Sequence, residues 1–156
     1  MKTADLIDEH GDALTLVHLP FQFFGQVYHF SGPVETLSCF EDNQLVKDTV
    51  SQPGNGRVLV VDGGGSTRTA LVGDMVAETA RQNGWAGLVI NGAIRDSVDI
   101  HAMTFGVKTL GTSPVKSAKT GHGTVGQPIH VGGVMIAADG WIYADADGVL
   151  YSASEL

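Results

Sequence analysis

Two short segments of the sequence carry residue types that could act on a small acid. The first is Gly73-Asp74; the second, after twenty intervening residues, is Arg95-Asp96, and Asp99 stands three positions further on. A guanidinium binds a carboxylate or an enolate oxygen through two parallel hydrogen bonds. Carboxylate oxygens are the ligands that Mg²⁺ and Mn²⁺ prefer. One arginine among three aspartates therefore predicts a site for a hard divalent cation and an anionic ligand.

The elements around these segments predict that they lie close together. Residues 58–62 form an apolar run typical of a strand buried on both faces, residues 75–83 have a helical pattern, and residues 87–90 read as a second buried strand. This is a βαβ unit, and parallel strands present their carboxyl ends at one edge of a sheet. We therefore expect the two segments to share a crevice. Exposed N–H groups at the start of the helix suit a carboxylate or phosphate.

The rest of the chain predicts further strands and helices around this unit. A helix is expected at residues 3–10, strands at 27–30, 34–40 and 105–110, a helix that begins near 41–43, and a short helix at 98–103. Residues 114–128 are polar and fit no pattern. After Val131, short strands are joined at Asp139-Gly140 and Asp147-Gly148, dipeptides typical of type I′ hairpin turns. The prediction is one domain over residues 1–156, an α/β sandwich with a parallel βαβ core extended by antiparallel hairpins.

Three consecutive glycines, Gly63 to Gly65, follow the first buried strand. Such a run indicates a sharp turn or a close approach of the backbone to a ligand. The run matches neither common nucleotide motif, because no Gly-Lys-Ser/Thr follows it and Arg68 stands where a dinucleotide fingerprint needs its third glycine. We therefore expect these main-chain amides to reach the carboxylate of a small acid beside the cation.

Each of these features also has a purely structural interpretation. Asp74 fits the N-cap position of the predicted helix. Arg95 and Asp96 fit a solvated ion pair, which contributes little to stability. The glycine run fits tight packing between a strand and a helix. Only the joint spacing of the two segments favours a site over these alternatives.

Other reactive side chains fit the site less well. Lys116 and Lys119 are candidates for the Schiff-base lysine of a class I aldolase, but their neighbours are polar whereas such a lysine needs a desolvated pocket. His122 lies between two glycines in the unassigned segment and is the one histidine that we single out as a candidate for a functional role. The single cysteine, Cys39, and the scattered histidines argue against a zinc site.

Composition limits the partners and the compartment. Nine Lys and Arg residues stand against 17 Asp and Glu, which gives a net charge of -8 and would repel a nucleic-acid backbone. The sequence contains no run of 18 apolar residues, and its acidic N-terminus lacks the apolar core of a signal peptide. A single cysteine suits a reduced, buried thiol. We therefore expect a cytoplasmic protein that binds neither nucleic acid nor membrane.

The spacing of Gly73-Asp74 and Arg95-Asp96 resembles the signature of class II, metal-dependent pyruvate aldolases such as 4-hydroxy-4-methyl-2-oxoglutarate aldolase. The whole chain, including residues 39–43, 58–65 and 145–148, is similar to the regulator of ribonuclease E activity A (RraA-like) family. The resemblance implies a swivelling β/β/α fold and a ring-shaped homotrimer. The ribonuclease regulator looks like a member that lost both aspartates, and this sequence keeps them.

The resemblance also implies a role for each site residue. Asp96 would ligate the metal directly, and Asp99 would hold metal-bound water. Arg95 would contact the keto or carboxylate oxygens of the substrate. Asp74 would orient a water that protonates the pyruvate enolate. The substrate carboxylate would be bound by the main-chain segment Gly73, Asp74, Met75 and Val76.

The implied activity is that of a class II aldolase dependent on Mg²⁺ or Mn²⁺. It would cleave 4-hydroxy-4-methyl-2-oxoglutarate and related 4-hydroxy-2-oxo acids to pyruvate. Decarboxylation of oxaloacetate passes through the same pyruvate enolate and is expected as a second activity. The base for the C4 hydroxyl is either a metal-bound hydroxide or a group of a neighbouring subunit. The alternative is a protein-binding regulator that inhibits ribonuclease E.

Overall fold

The computed structural model describes residues 2–156. Its helices are Thr3–His10 (α1), Gln44–Val50 (α2), Asp74–Gln82 (α3) and Ser97–His101 (α4). Its strands are Thr15–Leu16 (β1), Gln22–Phe24 (β2), His29–Ser38 (β3), Val58–Asp62 (β4), Ala70–Val72 (β5), Gly87–Ile94 (β6), Val107–Thr112 (β7), Thr124–Val125 (β8), Ile129–Val131 (β9), Val134–Ile136 (β10), Trp141–Asp145 (β11) and Val149–Ser152 (β12). No helix in the described range is long and apolar enough to cross a membrane.

A mixed ten-stranded sheet organises the chain. Its main path runs β1-β12-β11-β3-β4-β6-β7-β2, and β5 and β8 pair with β6 and β3 beside that path. The centre, from β3 through β4 and β6 to β7, is parallel. The strands at both ends are antiparallel to their neighbours. The predicted parallel core with antiparallel extensions is confirmed.

Strand β3 belongs to both parts of the sheet. Its first half, His29 to Pro33, pairs with β11, and its second half, Val34 to Ser38, pairs with β4. Proline cannot donate a ladder hydrogen bond, so it suits the point where the pairing partner changes. The sequence predicted two separate strands here, and that prediction is wrong because the chain stays extended through Ser31-Gly32-Pro33.

Alternate residues of the central strands supply two cores on opposite faces of the sheet. In β4, Leu59 and Val61 join the core under α2, α3 and α4. Val58 and Val60 join the other core, which includes the β9–β10 hairpin and β11. All four side chains are fully buried, which confirms the predicted strand buried on both faces. The layers are therefore sheet, sheet and helices, and they confirm the expected β/β/α sandwich.

The βαβ unit is longer than predicted. Strand β6 continues past Ile90 to Ile94, because residues 91–94 pair with β4, β5 and β7. The short strand β5, which the sequence did not reveal, lies between the glycine run and α3 and pairs parallel to the second half of β6. The site segments therefore follow β5 and β6, two adjacent strands.

Two local predictions are corrected at turns. Asp147-Gly148 does lie in the hairpin between β11 and β12, but neither residue has the positive φ of a type I′ turn. Asp139-Gly140 joins strands that do not pair with each other, because β10 pairs with β9. A hairpin turn with positive φ at both central residues is found instead at Gly132-Gly133, between β9 and β10.

Candidate active site

The pairing of β5 with β6 places the two predicted segments side by side. Val72 is the register partner of Ile94, and the N–H of Arg95 donates to the carbonyl of Val72 at 2.9 Å. Each strand then leads directly into a helix, α3 after β5 and α4 after β6. Gly73-Asp74 and Arg95-Asp96 therefore meet at one edge of the sheet.

Asp96 links the two segments through its side chain. Its backbone is left-handed, with φ 56° and ψ 40°, and it occupies the N-cap of α4 without capping that helix through its carboxylate. Oδ2 instead accepts a hydrogen bond of 3.1 Å from the N–H of Asp74, in the first turn of α3. A left-handed non-glycine residue costs on the order of 1 kcal/mol and is often found at functional sites. Asp96 thus carries strain while its carboxylate faces the neighbouring helix.

Gly73 leaves the space that the arginine and aspartate side chains occupy. A Cβ at this position would lie 2.8 Å from Oδ2 of Asp96 and 3.4 Å from Nε of Arg95. The φ of Gly73 is -111°, which any residue adopts, so the glycine is needed here for space. Gly73, and not the predicted Asp74, occupies the N-cap of α3, and Asp74 is the first helical residue.

A cavity of about 280 Å³ lies against these residues. Gly73, Asp74, Arg95 and Asp96 all line it, and so do Met75 and Val76. Asp99 is exposed on α4 and is not among the lining residues. Neither Arg95 nor Asp96 makes an ion pair within residues 2–156, so the interpretation of the two as a surface ion pair is wrong.

The first turn of α3 offers main-chain donors, but two of the four predicted ones are already engaged. The N–H of Asp74 donates to Asp96, and the N–H of Met75 donates to Oδ1 of Asp74 at 2.8 Å. The N–H groups of Gly73 and Val76 make no hydrogen bond within the described chain. These two amides are the ones free to bind an anion at the helix start.

The glycine run does not belong to this cavity, and the prediction that its amides bind the ligand is wrong. The N–H groups of Gly63 and Gly65 donate to the carbonyl of Asn91 at 3.0 and 3.2 Å. The N–H of Gly64 donates to Oδ1 of Asp62 at 2.9 Å. Gly64 and Gly65 have positive φ, so the run serves a tight turn between β4 and β5.

A larger cavity of about 660 Å³ is lined by Gly64 of this turn and by Cys39 and His122. Its carboxylates are Glu41, Asp42 and Asp62, and each accepts hydrogen bonds from the protein. A pocket lined by three such acids repels an anionic substrate. Burial raises the pKa of the Cys39 thiol to about 12, with smaller contributions from the nearby carboxylates, so this cysteine is inert.

Sequence reasoning missed the cations of the smaller cavity. Lys47, Lys116 and Lys119 line it together with Arg95. The sequence indicates Lys116 and Lys119 only as Schiff-base candidates, and no pattern in it singles out Lys47. Their convergence depends on contacts distant in sequence, such as the bridge between Ala70 and Lys116. The one signal in the sequence was the positive charge of these lysines in a chain that is acidic overall.

The carboxylates of the smaller cavity are compatible with a hard cation. Oδ1 of Asp96 and Oδ2 of Asp74 accept no hydrogen bond from residues 2–156. Within that range, no group of three or more His, Cys, Asp or Glu side chains is placed to hold a metal ion. Mg²⁺ is commonly held by one or two carboxylates and completes its shell with water and substrate oxygens. The donor set suits such a cation better than a zinc ion with four protein ligands.

The chain is similar over its length to proteins with more than one described activity. A protein of Arabidopsis thaliana named "Putative 4-hydroxy-4-methyl-2-oxoglutarate aldolase 3" is 48% identical over 153 residues, which cover 98% of this chain and 91% of the plant protein. The structure described as S-adenosylmethionine:2-dimethylmenaquinone methyltransferase from Geobacillus kaustophilus HTA426 superposes with a TM-score of 0.98 at 48% identity, and covers 100% of this chain and 97% of its own.

A second solved structure is that of the RNA-processing inhibitor RraA from Thermus thermophilus. It superposes with a TM-score of 0.95 at 40% identity, over 100% of this chain and 94% of its own. Residues 3–151 match the RraA-like family, described as Aldolase/RraA. The family resemblance predicted from the two segments is confirmed, and the chain belongs to the RraA-like family.

Proposed function

We propose that this protein is a divalent-metal-dependent class II aldolase that cleaves 4-hydroxy-4-methyl-2-oxoglutarate and related 4-hydroxy-2-oxo acids to pyruvate. Decarboxylation of oxaloacetate is its second activity. The observation that carries the proposal is the meeting of Gly73-Asp74 with Arg95-Asp96 at one cavity, joined by the hydrogen bond from Asp74 to Asp96. The name of the Arabidopsis relative supports the same class of reaction.

Arg95 and the start of α3 bind the 2-oxo acid end of the substrate. The free N–H groups of Gly73 and Val76 suit its C1 carboxylate, at the positive end of a nine-residue helix. Negative charge develops on the C2 oxygen when the C3–C4 bond breaks. The guanidinium of Arg95 is half-buried and free of ion pairs with other described residues, so it stabilises this charge where it appears.

Asp74 acts at C3, the carbon of the pyruvate fragment that must gain a proton after the bond breaks. Its Oδ1 accepts from Met75, which fixes the carboxylate beside the cavity. Its Oδ2 is available to hold a water molecule that delivers a proton to C3 of the enolate. The C4 hydroxyl loses one proton to a base and C3 gains one from this water, so the products are pyruvate and a carbonyl compound formed from the C4 fragment.

Asp96, aided by water, is the residue that would hold the divalent cation. A bound Mg²⁺ or Mn²⁺ supplies Lewis-acid stabilisation of the 2-oxo acid oxygens, worth several kcal/mol in comparable sites. Asp99 would lie further out and act through water, since it does not line the cavity. The protein's own task is to hold Asp96 in place, which the contact with Asp74 and the missing side chain at position 73 achieve.

Methyl transfer, the activity in the description of the Geobacillus neighbour, has less support in this chain. A nucleoside cofactor is commonly bound by free amides of a glycine-rich turn. The three amides of the glycine run 63–65 all donate to protein acceptors within the described residues. The cavity at Arg95 instead offers a guanidinium, two free amides and two carboxylates, which suit a small metal-chelating acid.

A second candidate function is regulation of an RNA-processing enzyme, ribonuclease E in particular. It is supported by 40% identity to the Thermus inhibitor over the whole chain. An acidic surface with net charge -8 would complement a basic protein partner. The two functions are compatible, because binding a partner at an acidic surface does not require the cavity at Arg95.

The same proposal includes a homotrimer. Met75 and Val98 flank the site segments and are 80% and 83% exposed, although both are large and apolar. Exposed apolar side chains beside a site suit burial against a neighbouring copy. Light scattering after size exclusion tests this, and a monomeric mass would contradict it.

The activity is tested by coupling pyruvate release to lactate dehydrogenase. With oxaloacetate or 4-hydroxy-4-methyl-2-oxoglutarate as substrate, we expect turnover with Mg²⁺ or Mn²⁺, loss of turnover with excess chelator, and recovery when the metal is restored. Turnover that resists the chelator would contradict metal dependence. No pyruvate from either substrate in the presence of metal would contradict the aldolase itself.

A further inference from the structure

Four of the nine Lys and Arg residues in this acidic chain line one cavity of about 280 Å³. Arg95 comes from the end of β6, Lys47 from α2, and Lys116 and Lys119 from the segment between β7 and β8. Three elements distant in sequence therefore bring positive charge to one place. The remaining five cationic residues do not line this cavity.

None of these four cations is neutralised by an ion pair within residues 2–156. Elsewhere three arginines do form ion pairs: Arg57 with Glu35 at 2.8 Å, Arg68 with Glu41 and Arg81 with Glu78. The two carboxylates of the cavity, Asp74 and Asp96, make no ion pair with these cations either, and the four cations outnumber them. The cavity therefore holds an excess of unpaired positive charge.

Lys119 is held in place by contacts with the residues that precede α2. Nζ of Lys119 donates to Oδ1 of Asn43 at 3.0 Å, and the buried Asn43 in turn donates through Nδ2 to the carbonyl of Leu71. Asp42 accepts from the N–H groups of Thr120 and Gly121, the two residues that follow Lys119. These contacts fix the segment that carries Lys119 against α2.

The other cations of the cavity affect the pKa of Lys119. Desolvation lowers the pKa of Lys119, and repulsion from Lys47, Arg95 and Lys116 lowers it further, against an opposing contribution from Asp42. When an anion binds among cations that repel one another, the electrostatic free energy of the group falls. In the proposed function, Arg95 and the free amides of α3 bind the 2-oxo acid end of the substrate, including its C1 carboxylate. The three lysines therefore remain available for a second anionic group.

We propose that Lys47, Lys116 and Lys119 form a second anion subsite, which binds the distal carboxylate of a dicarboxylic 2-oxo acid and so selects dicarboxylic over monocarboxylic substrates. This inference rests on the proposed function for the position of the 2-oxo acid end, at Arg95. What it adds is that the lysines recognise the opposite end of the substrate, the distal carboxylate. Specificity of this kind comes from a charge that one ligand has and its analogue lacks.

A matched pair of ligands tests the subsite by binding alone. The ligands 2-oxoglutarate and 2-oxopentanoate share a five-carbon chain and a 2-oxo acid end, and only the first has a distal carboxylate. We expect wild-type protein with Mg²⁺ to bind 2-oxoglutarate about tenfold more tightly by isothermal titration calorimetry. The preference should weaken as salt is raised, since the lysines are exposed.

Lys47→Gln, Lys116→Gln and Lys119→Gln each remove one charge from the cavity. Each should weaken 2-oxoglutarate binding about fivefold and 2-oxopentanoate binding less than twofold. Lys2→Gln is the matched control, because it makes the same charge change at an exposed position outside the cavity. It should leave both affinities unchanged.

Equal losses for both ligands, or no loss for either, would overturn the subsite. Inorganic phosphate is a third probe, because it presents similar charge. If phosphate binds through the three lysines while 2-oxoglutarate shows no preference over 2-oxopentanoate, the proposal is also overturned. The pyruvate assay separates the two proposals. A charge-dependent preference for 2-oxoglutarate without pyruvate release would support the subsite and contradict the aldolase. Pyruvate release without that preference would support the aldolase and contradict the subsite.

Discussion

Replacing Gly73 by alanine should lower the activity and leave the fold intact. The new Cβ would lie 2.8 Å from Oδ2 of Asp96, whereas ordinary contacts begin at 3.4 Å, so the carboxylate must retreat by about 0.6 Å. The contact with Nε of Arg95, at 3.4 Å, is tolerable. The substitution therefore acts mainly on one catalytic side chain.

The size of the effect follows from this displacement. A misplacement of about 1 Å costs on the order of 100-fold in rate, so we expect kcat/KM to fall about 10- to 100-fold, or about 1.4 to 2.7 kcal/mol. Stability should not fall with it, since the φ of Gly73 is -111° and suits alanine. A Gly-to-Ala change at a compatible position stabilises by about 0.4 to 1 kcal/mol through the unfolded chain.

The assay is pyruvate release from oxaloacetate with Mg²⁺, together with a thermal melt. Gly11→Ala is the matched control, because a Cβ at Gly11 meets nothing within 4 Å and its φ is negative. The control should keep wild-type kcat/KM and a wild-type Tm. Wild-type kcat/KM in the Gly73→Ala protein would refute the reasoning, and a collapsed Tm would show that the glycine serves the fold instead.

Three further predictions concern Arg95, Asp42 and Cys39. Arg95→Lys should lose about 100-fold in kcat, because an ammonium does not copy the planar fork, and a wild-type rate would remove Arg95 from the site. Hydrogen bonds from Thr120, Gln44 and Gly121 overcome desolvation and lower the pKa of Asp42 to about 2, so its contribution is full above the unfolded pKa near 4 and is lost as the pH falls through 2. Asp42→Asn should therefore lower the unfolding free energy in urea by about 2 kcal/mol at pH 7, and a gap that persists undiminished at pH 2 would contradict this assignment. The thiol of Cys39 should react with a disulfide reagent at pH 8 only after unfolding, because burial raises its pKa to about 12, and fast reaction in the native protein would show otherwise.

The parts of the fold that sequence predicted are those with strong local patterns. Strand β4 is apolar without interruption and is buried on both faces, and α3 begins at Asp74 and is followed by a left-handed glycine, Gly84. Both signals lie within a few residues of the element. Strand β5 has only three residues, too few for a periodicity, and it forms because β6 is there to pair with it. Its existence is therefore a tertiary effect.

The site also has features that local sequence patterns predict and features that depend on tertiary contacts. The pairs Gly73-Asp74 and Arg95-Asp96 have a spacing set by one βαβ unit, so the sequence could place them together. The contact from Asp74 to Asp96 depends on a left-handed backbone at Asp96 that nothing in the local sequence requires. The lysines reach the cavity through long-range contacts, such as the bridge of Asp42 with Ala118. Local patterns do not carry that information.

Asp96→Asn tests the central claim most directly. Asparagine keeps an oxygen to accept from the N–H of Asp74 but lacks the charge that a dication needs, so the helix contact survives and the metal site does not. Pyruvate release from oxaloacetate with saturating Mg²⁺ should fall below about 1% of the wild-type rate at an unchanged Tm. A folded Asp96→Asn protein that turns over oxaloacetate at a near-wild-type rate would contradict the claim that this carboxylate holds the metal.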